Sequence, residues 1–454
     1  MKITLINPAF FDGHEFKNRY NDFLDWVKGG NLYIAPFEPP LGLAYLSSAL
    51  KNAGHEVHLL DMQGLLMDSE SLIKELKKLK PEIVGITSMT TTFPQALKTA
   101  SLVRNTIPTA KIVFGGVHPT LDPDSTLKYD IVDFVIRGEG EASFVKLVNA
   151  LANNFSVENI EGLCFKKNGN ISVAEKTIIL DQSIIPSLDY ESFPVETYIR
   201  HNEYLRGIRG ISMLVSRGCP YPCTLCAVHQ TMGRQWRVKS PELVVNEILY
   251  LKKRFGIEGI WFKDSIFNLN KKWVTEFCDL LLLSKADIKW QVNTRVDLIE
   301  VDQLLLMKSA GLTQIDLGIE TGSVKSLEKL KKKISIPQIK EKVALAKKYV
   351  KVFGFFMIGI PGENETDVYD TFQLAKDLKL DRSTWSIYSP LPGSILYDEL
   401  ILQGKIDIHK INFEDIHFTK AFEGICDIPG NRLSEIYNEI NDFFYKSHQF
   451  DTVA

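Results

Sequence analysis

Short apolar segments alternate with amphipathic segments along the first third of the chain. Strands are predicted at 2–7, 57–60, 83–87, 111–114 and 132–136, and helices at 41–53, 69–79 and 93–106. Strands that are apolar along their whole length, with helices between them, are typical of a parallel sheet covered on both faces. The pattern therefore predicts a Rossmann-like α/β domain over residues 1–155.

The same alternation returns between residues 206 and 395. Six further strands are predicted there, at 211–216, 259–262, 288–292, 314–318, 352–358 and 384–388. Six strand–helix repeats are too few to close an eight-stranded barrel, so we expect a partial (β/α)6 TIM barrel. Residues 156–205, with a hairpin signal at Asn168-Gly169, are predicted to be a linker, and residues 396–454 a small C-terminal helical region.

The composition is that of an ordinary globular protein of two or three domains. Of the 454 residues 45% are hydrophobic, and the net charge of −3 indicates no basic surface for nucleic acid. No apolar run has membrane-spanning length, and the N-terminus lacks the pattern of a signal peptide. With half of the cysteines gathered in one loop, these features favour a cytoplasmic protein. The lysine-rich segment 329–333 is predicted to be a solvated helical face.

Three of the six cysteines lie within eight residues, as Cys219, Cys223 and Cys226. Thiolates this close together select soft metals, which leaves zinc, copper(I) and iron–sulfur centres open. A closed structural site needs four ligands, whereas three cysteines on a 4Fe–4S cluster leave one iron free to bind a small molecule. Two alternatives stay open: a zinc site completed by His229, and an electron-transfer cluster, for which the next cysteine is the distant Cys278.

The Cys-x3-Cys-x2-Cys spacing after a predicted strand resembles the signature of the radical S-adenosylmethionine (SAM) superfamily. In that family the open iron binds SAM, and reductive cleavage gives a 5′-deoxyadenosyl radical. The polar strand ends at 88–92, 115–120 and 137–141 resemble the cobalamin-binding domain of many radical SAM enzymes. No Gly-x-Gly-x-x-Gly follows the first strand, which disfavours a dinucleotide. The resemblance implies three cofactors, a 4Fe–4S cluster, SAM and cobalamin, and an external electron donor such as flavodoxin or ferredoxin.

The resemblance also implies roles for residues at the strand ends of the partial barrel. The SAM-binding set is Glu320, Asn293, Arg295, Gly359 and Pro361, and the catalytic set is Glu320, Arg295 and Asp264. Arginine suits a two-pronged contact with the SAM carboxylate, and Gly359 lets the backbone approach the adenine. Structural roles are equal alternatives at two positions: Arg295 in an ion pair with Asp297 or Asp264, and Asp264 as a cap of its loop.

The cobalamin is expected at the strand ends of the first domain, with its nucleotide tail beside the sheet. The residues expected to bind it are Ser88, Thr90, Gly115, Gly116, His118, Pro119, Thr120, Gly138 and Glu139. His14 is not expected to bind cobalt, because the Asp-x-His-x-x-Gly motif of histidine-ligating relatives lacks its glycine here. The insertion at 10–40 is expected to cover the corrin or the substrate.

These features together imply a cobalamin-dependent radical SAM enzyme that acts on a small molecule or a lipid. Methylation of an unactivated carbon is the favoured reaction. The enzymatic alternative is cyclisation, ring contraction or oxidation without net methyl transfer, as in anaerobic cyclase relatives. An alternative of another class is a cobalamin- or redox-sensing module with a structural cluster. Product analysis separates them, since S-adenosylhomocysteine accompanies 5′-deoxyadenosine only in methylation.

Overall fold

The computed structural model describes residues 1–9, 38–182, 185–200, 208–407 and 418–447. Its first strands are β1 (Lys2–Asn7), β2 (Glu56–Asp61), β3 (Ile83–Thr87), β4 (Lys111–Gly115), β5 (Phe134–Ile136), β6 (Leu163–Lys167) and β7 (Asn170–Ser172). They form one sheet in the order β2-β1-β3-β4-β5-β6-β7, parallel from β1 to β5 and antiparallel in the β6–β7 hairpin. The predicted parallel sheet is confirmed. The hairpin extends it from within the residues assigned to the linker.

Helices pack against this sheet because each presents an apolar stripe to it. In the helix Ser69–Leu79, the buried residues Leu72 and Leu76 lie four apart on one face. The side chain of Asp68 caps its first turn by accepting from the Ser71 N–H at 2.8 Å. The other helices of this region are Leu41–Asn52, Phe93–Thr106, Val117–Leu121, Pro123–Lys128, Gly140–Ala152 and Val195–Arg200.

The second sheet curls into a half-barrel. Its region contains the strands β8 (Gly210–Met213), β9 (Ser216–Arg217), β10 (Arg237–Val238), β11 (Gly259–Phe262), β12 (Lys289–Thr294), β13 (Leu312–Glu320), β14 (Lys351–Ile358) and β15 (Arg382–Ile387). Six of them are parallel, in the order β15-β14-β13-β12-β11-β8, and β9 pairs with β10 beside them. This confirms the predicted partial barrel. The strand predicted at 211–216 is divided, because the Val215 and Ser216 N–H groups donate to the Asp264 carboxylate.

The two faces of the half-barrel differ in chemistry. Phe262 and Trp290 point to the outer face, where they pack edge-on against Phe277 of the helix Lys271–Ser284. Strand register puts the row Ser212, Trp261, Gln291 and Gln314 on the opposite face. We call that face, turned away from the helices, the inner face.

The remaining helices enclose the half-barrel and its open edge. They are Val228–Thr231, Pro241–Phe255, Lys271–Ser284, Val301–Ser309, Val324–Lys329, Ile336–Ala346, Glu365–Leu378, Ile395–Leu402 and Gly430–Ser447. The last of them covers β15, where Phe444 stacks on Trp385 with ring centroids 5.6 Å apart. Among the described residues, no helix combines the length and apolar character needed to cross a membrane.

Candidate active site

The cysteine loop follows β9 and is held by its backbone rather than by its sulfur atoms. Gly218 precedes it with a φ of 87°, and a Cβ there would collide with the carbonyl oxygen of Gln235. The Cys219 N–H donates to the Gly233 oxygen at 3.1 Å. Thr224 is buried and donates through its hydroxyl to the Lys329 oxygen at 2.8 Å. The fold therefore fixes the loop while all three thiols stay half-buried and free.

The chemistry of these thiols suits a cluster. Burial raises the pKa of the Cys226 thiol to about 11, so the metal-free loop holds a thiol there. Within the described residues, no three Cys, His, Asp or Glu side chains converge tightly enough for a single ion. In a 4Fe–4S cluster each cysteine binds a different iron, so the sulfur atoms need not converge on one point. Three soft donors on one loop fit that cofactor.

Arg295 lies beside the cysteine loop, at the end of β12. Its guanidinium is 3.5 Å from Cys223 Sγ and 3.8 Å from the centre of the Tyr221 ring. It also pairs with Asp297, at 2.9 Å and 3.2 Å, and donates to the Lys332 oxygen at 2.6 Å. The structure thus forms the Asp297 ion pair and at the same time brings the cation to the cluster ligands.

Glu320 ends β13 in the left-handed region, with a φ of 70°. The pairing of β13 with β14 is irregular between Gly318 and Glu320, which turns the carboxylate out of the strand pattern. Lys332 Nζ holds that carboxylate at 2.7 Å and the Gly318 oxygen at 2.6 Å. The prediction that 329–333 is a solvated face is wrong for Lys332, which is only 5% exposed. The segment 329–333 consists of four lysines and one leucine, and this composition gave no sign that one of the lysines is buried.

Asn293 and Asp264 lie at neighbouring strand ends. The Asn293 Nδ2 donates to the Asp264 backbone oxygen at 3.3 Å, and its Oδ1 accepts no hydrogen bond from the described residues. The Asp264 carboxylate is fully buried and accepts from Val215 and from both the N–H and the hydroxyl of Ser216. Burial raises the pKa of Asp264 to about 6. Its contacts fix the chain just before the cysteine loop, which corresponds to the capping alternative.

The segment after β14 contains Gly359 and Pro361. Gly359 has a φ of 73°, and a Cβ there would meet the Leu433 side chain. The Pro361 oxygen accepts from Lys329 Nζ at 2.7 Å. Sequence reasoning missed Glu363, which is 1% exposed and accepts from the Ile360 N–H at 3.0 Å. An acidic residue directly after Gly-Ile-Pro-Gly was the available signal.

A cavity of about 300 Å³ lies at the carboxyl ends of β3 and β4. Six of the nine residues expected to bind cobalamin line it: Ser88, Gly115, Gly116, Thr120, Gly138 and Glu139. Gly116 has a φ of 94°, and a Cβ there would collide with the Thr87 side chain and the Ser88 backbone. Small residues and hydroxyls along an apolar wall fit an extended cofactor tail, so the residues present suit cobalamin.

The other three expected cobalamin residues, Thr90, His118 and Pro119, are not on that wall. His118 is fully buried and stacks on Phe93 with ring centroids 4.0 Å apart. Its Nδ1 lies 3.4 Å from Thr90 Oγ1, and burial lowers the pKa of the imidazole to about 4. His118 is therefore neutral and packed inside the domain. His14 and residues 10–37 of the insertion lie outside the described residues.

The cavity is closed on its other side by the half-barrel domain, through Leu214, Arg217, Thr231 and Met232. Arg217 lines this cavity and precedes Cys219 by two residues, so one segment of the chain belongs both to the cavity wall and to the cysteine loop. This shared wall is the main geometric feature of the site.

Four charged residues join the two domains there, and we call Glu139, Glu141, Arg217 and Arg237 the junction network. Arg217 is partly buried, and the other three are buried. Arg237 holds the Glu139 carboxylate with two hydrogen bonds, at 2.7 Å and 3.0 Å. Arg217 pairs with Glu141 at 2.5 Å and lies 3.4 Å from Glu139. The Ile179 N–H donates to Glu139 as well, at 2.7 Å. Glu139 therefore lines the cavity with its carboxylate committed to the arginines.

Two family models match the chain. The B12 binding domain matches residues 28–148, and the Radical SAM superfamily matches residues 213–375. The first range contains the residues of the N-terminal domain from Gly42 to Phe144 that line the cavity. The second contains the three cysteines and the residues predicted to bind SAM at the strand ends of the half-barrel.

Known proteins resemble the chain over most of its length. An uncharacterized methyltransferase of Pyrococcus horikoshii is 33% identical over 366 residues, 80% of this chain and 78% of that protein. The anaerobic magnesium-protoporphyrin IX monomethyl ester cyclase of Cereibacter sphaeroides is 31% identical over 435 residues, which are 93% of this chain and 69% of that protein. The radical SAM methyltransferase TsrM of Kitasatospora setae, solved with cobalamin and a 4Fe–4S cluster, shares the fold. Its TM-score is 0.71 at 18% identity, with 88% of this chain and 78% of that chain covered.

Proposed function

Because the chain belongs to the cobalamin-binding radical SAM enzymes, we propose that it methylates an unactivated carbon of a small molecule or lipid. Its cofactors are cobalamin, SAM and a 4Fe–4S cluster. When bound, the cluster supplies the electron that cleaves SAM to a 5′-deoxyadenosyl radical, and cobalamin supplies the methyl group. The observation that carries the proposal is the shared wall, where Gly116 and Gly138 face Arg217 across one cavity.

In this proposal the residues of the half-barrel hold and orient SAM. Cys219, Cys223 and Cys226 are the cluster ligands, and Thr224 anchors their loop to the backbone oxygen of Lys329, the last residue of the helix Val324–Lys329. Arg295 and Asn293 face the SAM carboxylate and amino group from the end of β12. A cation there is suited to a carboxylate, and the free Asn293 Oδ1 is suited to an ammonium donor.

Glu320 accepts from the SAM ribose, and Lys332 orients its carboxylate at 2.7 Å. The backbone of Gly359 and Pro361 lies along the adenine. Asp264 acts as a positioning residue rather than by touching the reacting atoms, since its buried carboxylate accepts hydrogen bonds from Val215 and Ser216 in the chain before the cysteine loop.

Methyl transfer is supported by the methyltransferase name of the Pyrococcus relative. The second candidate, cyclisation or oxidation without net methyl transfer, is supported by the match to the cyclase over 93% of this chain. Thiolate ligands need a reducing compartment, so we place the enzyme in the cytoplasm with flavodoxin or ferredoxin as electron donor.

The test uses reconstituted holoprotein, a low-potential reductant and SAM with a fully deuterated methyl group, mixed anaerobically with small-molecule and lipid extracts. Methylation yields 5′-deoxyadenosine and S-adenosylhomocysteine in equal amounts, and a product that carries the deuterated methyl group. 5′-Deoxyadenosine without S-adenosylhomocysteine or label assigns the cyclase-type reaction. Loaded protein that forms no 5′-deoxyadenosine is the result expected of a sensing module.

A further inference from the structure

Gln291 is a buried residue on the inner face whose amide nitrogen has no hydrogen-bond partner among the described residues. It lies in β12 at 2% exposure, and its Nε2 meets no acceptor in the described parts of the chain. Two residues along the same strand, the Oδ1 of Asn293 is likewise without a donor. Side chains two apart on a strand share a face and are about 7 Å apart. The inner face of β12 thus contains two unpaired amide atoms, Gln291 Nε2 and Asn293 Oδ1, on residues two positions apart.

An unpaired buried amide destabilises a fold, and a residue such as methionine would fill the same space without that cost. Neighbouring polar groups of the inner face are bonded: Gln314 donates to Asp316 at 2.7 Å, and the Ser212 hydroxyl donates to Glu38. A glutamine left unpaired beside the paired Gln314 and Ser212 indicates a partner that binds from outside the chain.

The charges nearby define the chemistry of that partner. Lys263 Nζ is already neutralised by Glu38 at 2.7 Å. Asp316, 2% exposed, faces the same space from β13. An anionic group would meet the Asp316 carboxylate, and a cationic group would meet the ammonium of Lys263, which is paired with Glu38. A neutral group that exchanges hydrogen bonds with an amide incurs neither penalty.

The other half of the inner face is apolar. Strand register places Phe353 and Phe355 of β14 beside Asp316 and Gly318, with their ring centroids 5.0 Å apart. Met357 continues the same face, and Phe355 and Met357 are both half-buried rather than closed off. An apolar body has a surface to pack on next to the unpaired amide.

We propose that the inner face is the substrate subsite, and that it selects an amphiphile whose polar end is a neutral amide or hydroxyl. Gln291 hydrogen-bonds that polar end, and the apolar body packs on Phe353 and Phe355. This deepens the proposed function by naming the substrate class, and it rests on the substrate entering the half-barrel next to SAM.

The test is anaerobic calorimetric titration of SAM-loaded holoprotein with three probes of equal chain length: octanamide, octanoate and octylamine. The amide is expected to bind about tenfold more tightly than either charged probe, the effect of one well-made hydrogen bond. The variant Gln291→Met is expected to lose that preference. Failure of the amide to bind, a preference for a charged probe, or an unchanged preference in Gln291→Met would overturn the proposal.

The matched control is Gln303→Met. Gln303 also has a buried, unpaired Nε2, but it lies in the outer helix Val301–Ser309, where its Oε1 accepts from Asn268 at 2.9 Å. This variant is expected to keep the amide preference, and its loss there would overturn the assignment to the inner face. Titration involves no turnover, so its outcome is independent of whether S-adenosylhomocysteine is formed.

Discussion

The junction network and the inner face both contain buried polar side chains. Those of the junction are paired, whereas the inner face contains a polar side chain that is not. At the junction, the Glu139 carboxylate receives two hydrogen bonds from Arg237 and one from the Ile179 N–H. On the inner face, Gln291 is equally buried, and its Nε2 donates to no acceptor among the described residues. Both regions connect to the cysteine loop. Arg217 of the junction network precedes Cys219 by two residues, and Arg295, which follows the strand that contains Gln291, lies 3.5 Å from Cys223 Sγ.

This difference indicates that buried polar groups have two distinct roles in the protein, one structural and one in ligand binding. A paired and hydrogen-bonded charge network contributes little net stability, but it penalises any other arrangement of the domains severely. An unpaired amide costs stability in the free protein and regains it when a ligand binds. The junction therefore sets the distance between the cobalamin wall and the cysteine loop, and the inner face remains available for recognition.

The largest expected effect comes from the cysteine loop, where chemistry is lost while both regions stay folded. We expect Cys219→Ala to lose bound iron and sulfide and to form no 5′-deoxyadenosine, because two thiolates do not hold the cluster. Iron and sulfide analysis, visible absorbance and product analysis measure this.

The matched control is Cys278→Ala. Cys278 is buried in the helix Lys271–Ser284 and belongs to the hydrophobic core. That variant should retain the cluster and SAM cleavage. A cluster that survives in Cys219→Ala, or disappears in Cys278→Ala, contradicts the ligand assignment.

The next effect concerns the junction. We expect Arg237→Met to lower the free energy of unfolding by about 3–5 kcal/mol, because it leaves the Glu139 carboxylate buried beside a single cation. Denaturant titration measures this. The double variant Glu139→Gln/Arg237→Met should cost less than the single one, since it removes the stranded charge. A loss below about 1 kcal/mol would mean that the pair is no more than a surface salt bridge.

The same replacement on the inner face should act in the opposite direction. We expect Gln291→Met to raise the free energy of unfolding by about 1–3 kcal/mol, because it removes a buried amide that has no partner. Parallel denaturant titration of this variant and Arg237→Met measures the contrast. If Gln291→Met destabilises the protein as Arg237→Met does, the amide is paired in solution and the comparison fails.

The sequence predicted the two sheets and the cofactor set because their signals are local in the chain, and the assignment of the three cysteines as cluster ligands stays a prediction. Strand patterns and a spacing within eight residues need no long-range contact to be recognised. The ion pair of Glu139 was not predictable in this way, since its partner Arg237 lies 98 residues further along the chain. Its loop follows a strand and lines the cavity, and only the packing of two domains commits its carboxylate.

Lys332 and Gln291 were missed for related reasons. Lys332 belongs to a lysine-rich stretch whose other members suggested a solvated face, and the turn that buries it depends on Gly318 and Glu320. Gln291 lies inside the strand predicted at 288–292, but which of its side chains face the inside of the half-barrel was not predicted. Which polar residue is left unpaired is a property of the assembled sheet.

The smallest expected effect involves a third kind of buried polar group, an acid that is hydrogen-bonded but has no cationic partner in the described parts of the chain. Glu363 accepts from Ile360, Ser326 and Thr321, and burial raises its pKa from 4.5 to about 7. Its folded pKa is above its unfolded value, so its stabilising contribution is complete below pH 4.5 and is lost as the pH rises through 7.

The difference in unfolding free energy between the wild type and Glu363→Gln should therefore decline between pH 5 and 7. One proton gives a slope of at most about 1.4 kcal/mol per pH unit. Above pH 8 the difference should be constant. Denaturant titration of both proteins at closely spaced pH values measures it, and the shared cluster chemistry cancels in the difference. A difference that does not change with pH would mean that Glu363 is ionised in the fold, with its three hydrogen-bond donors stabilising the carboxylate in place of a cation.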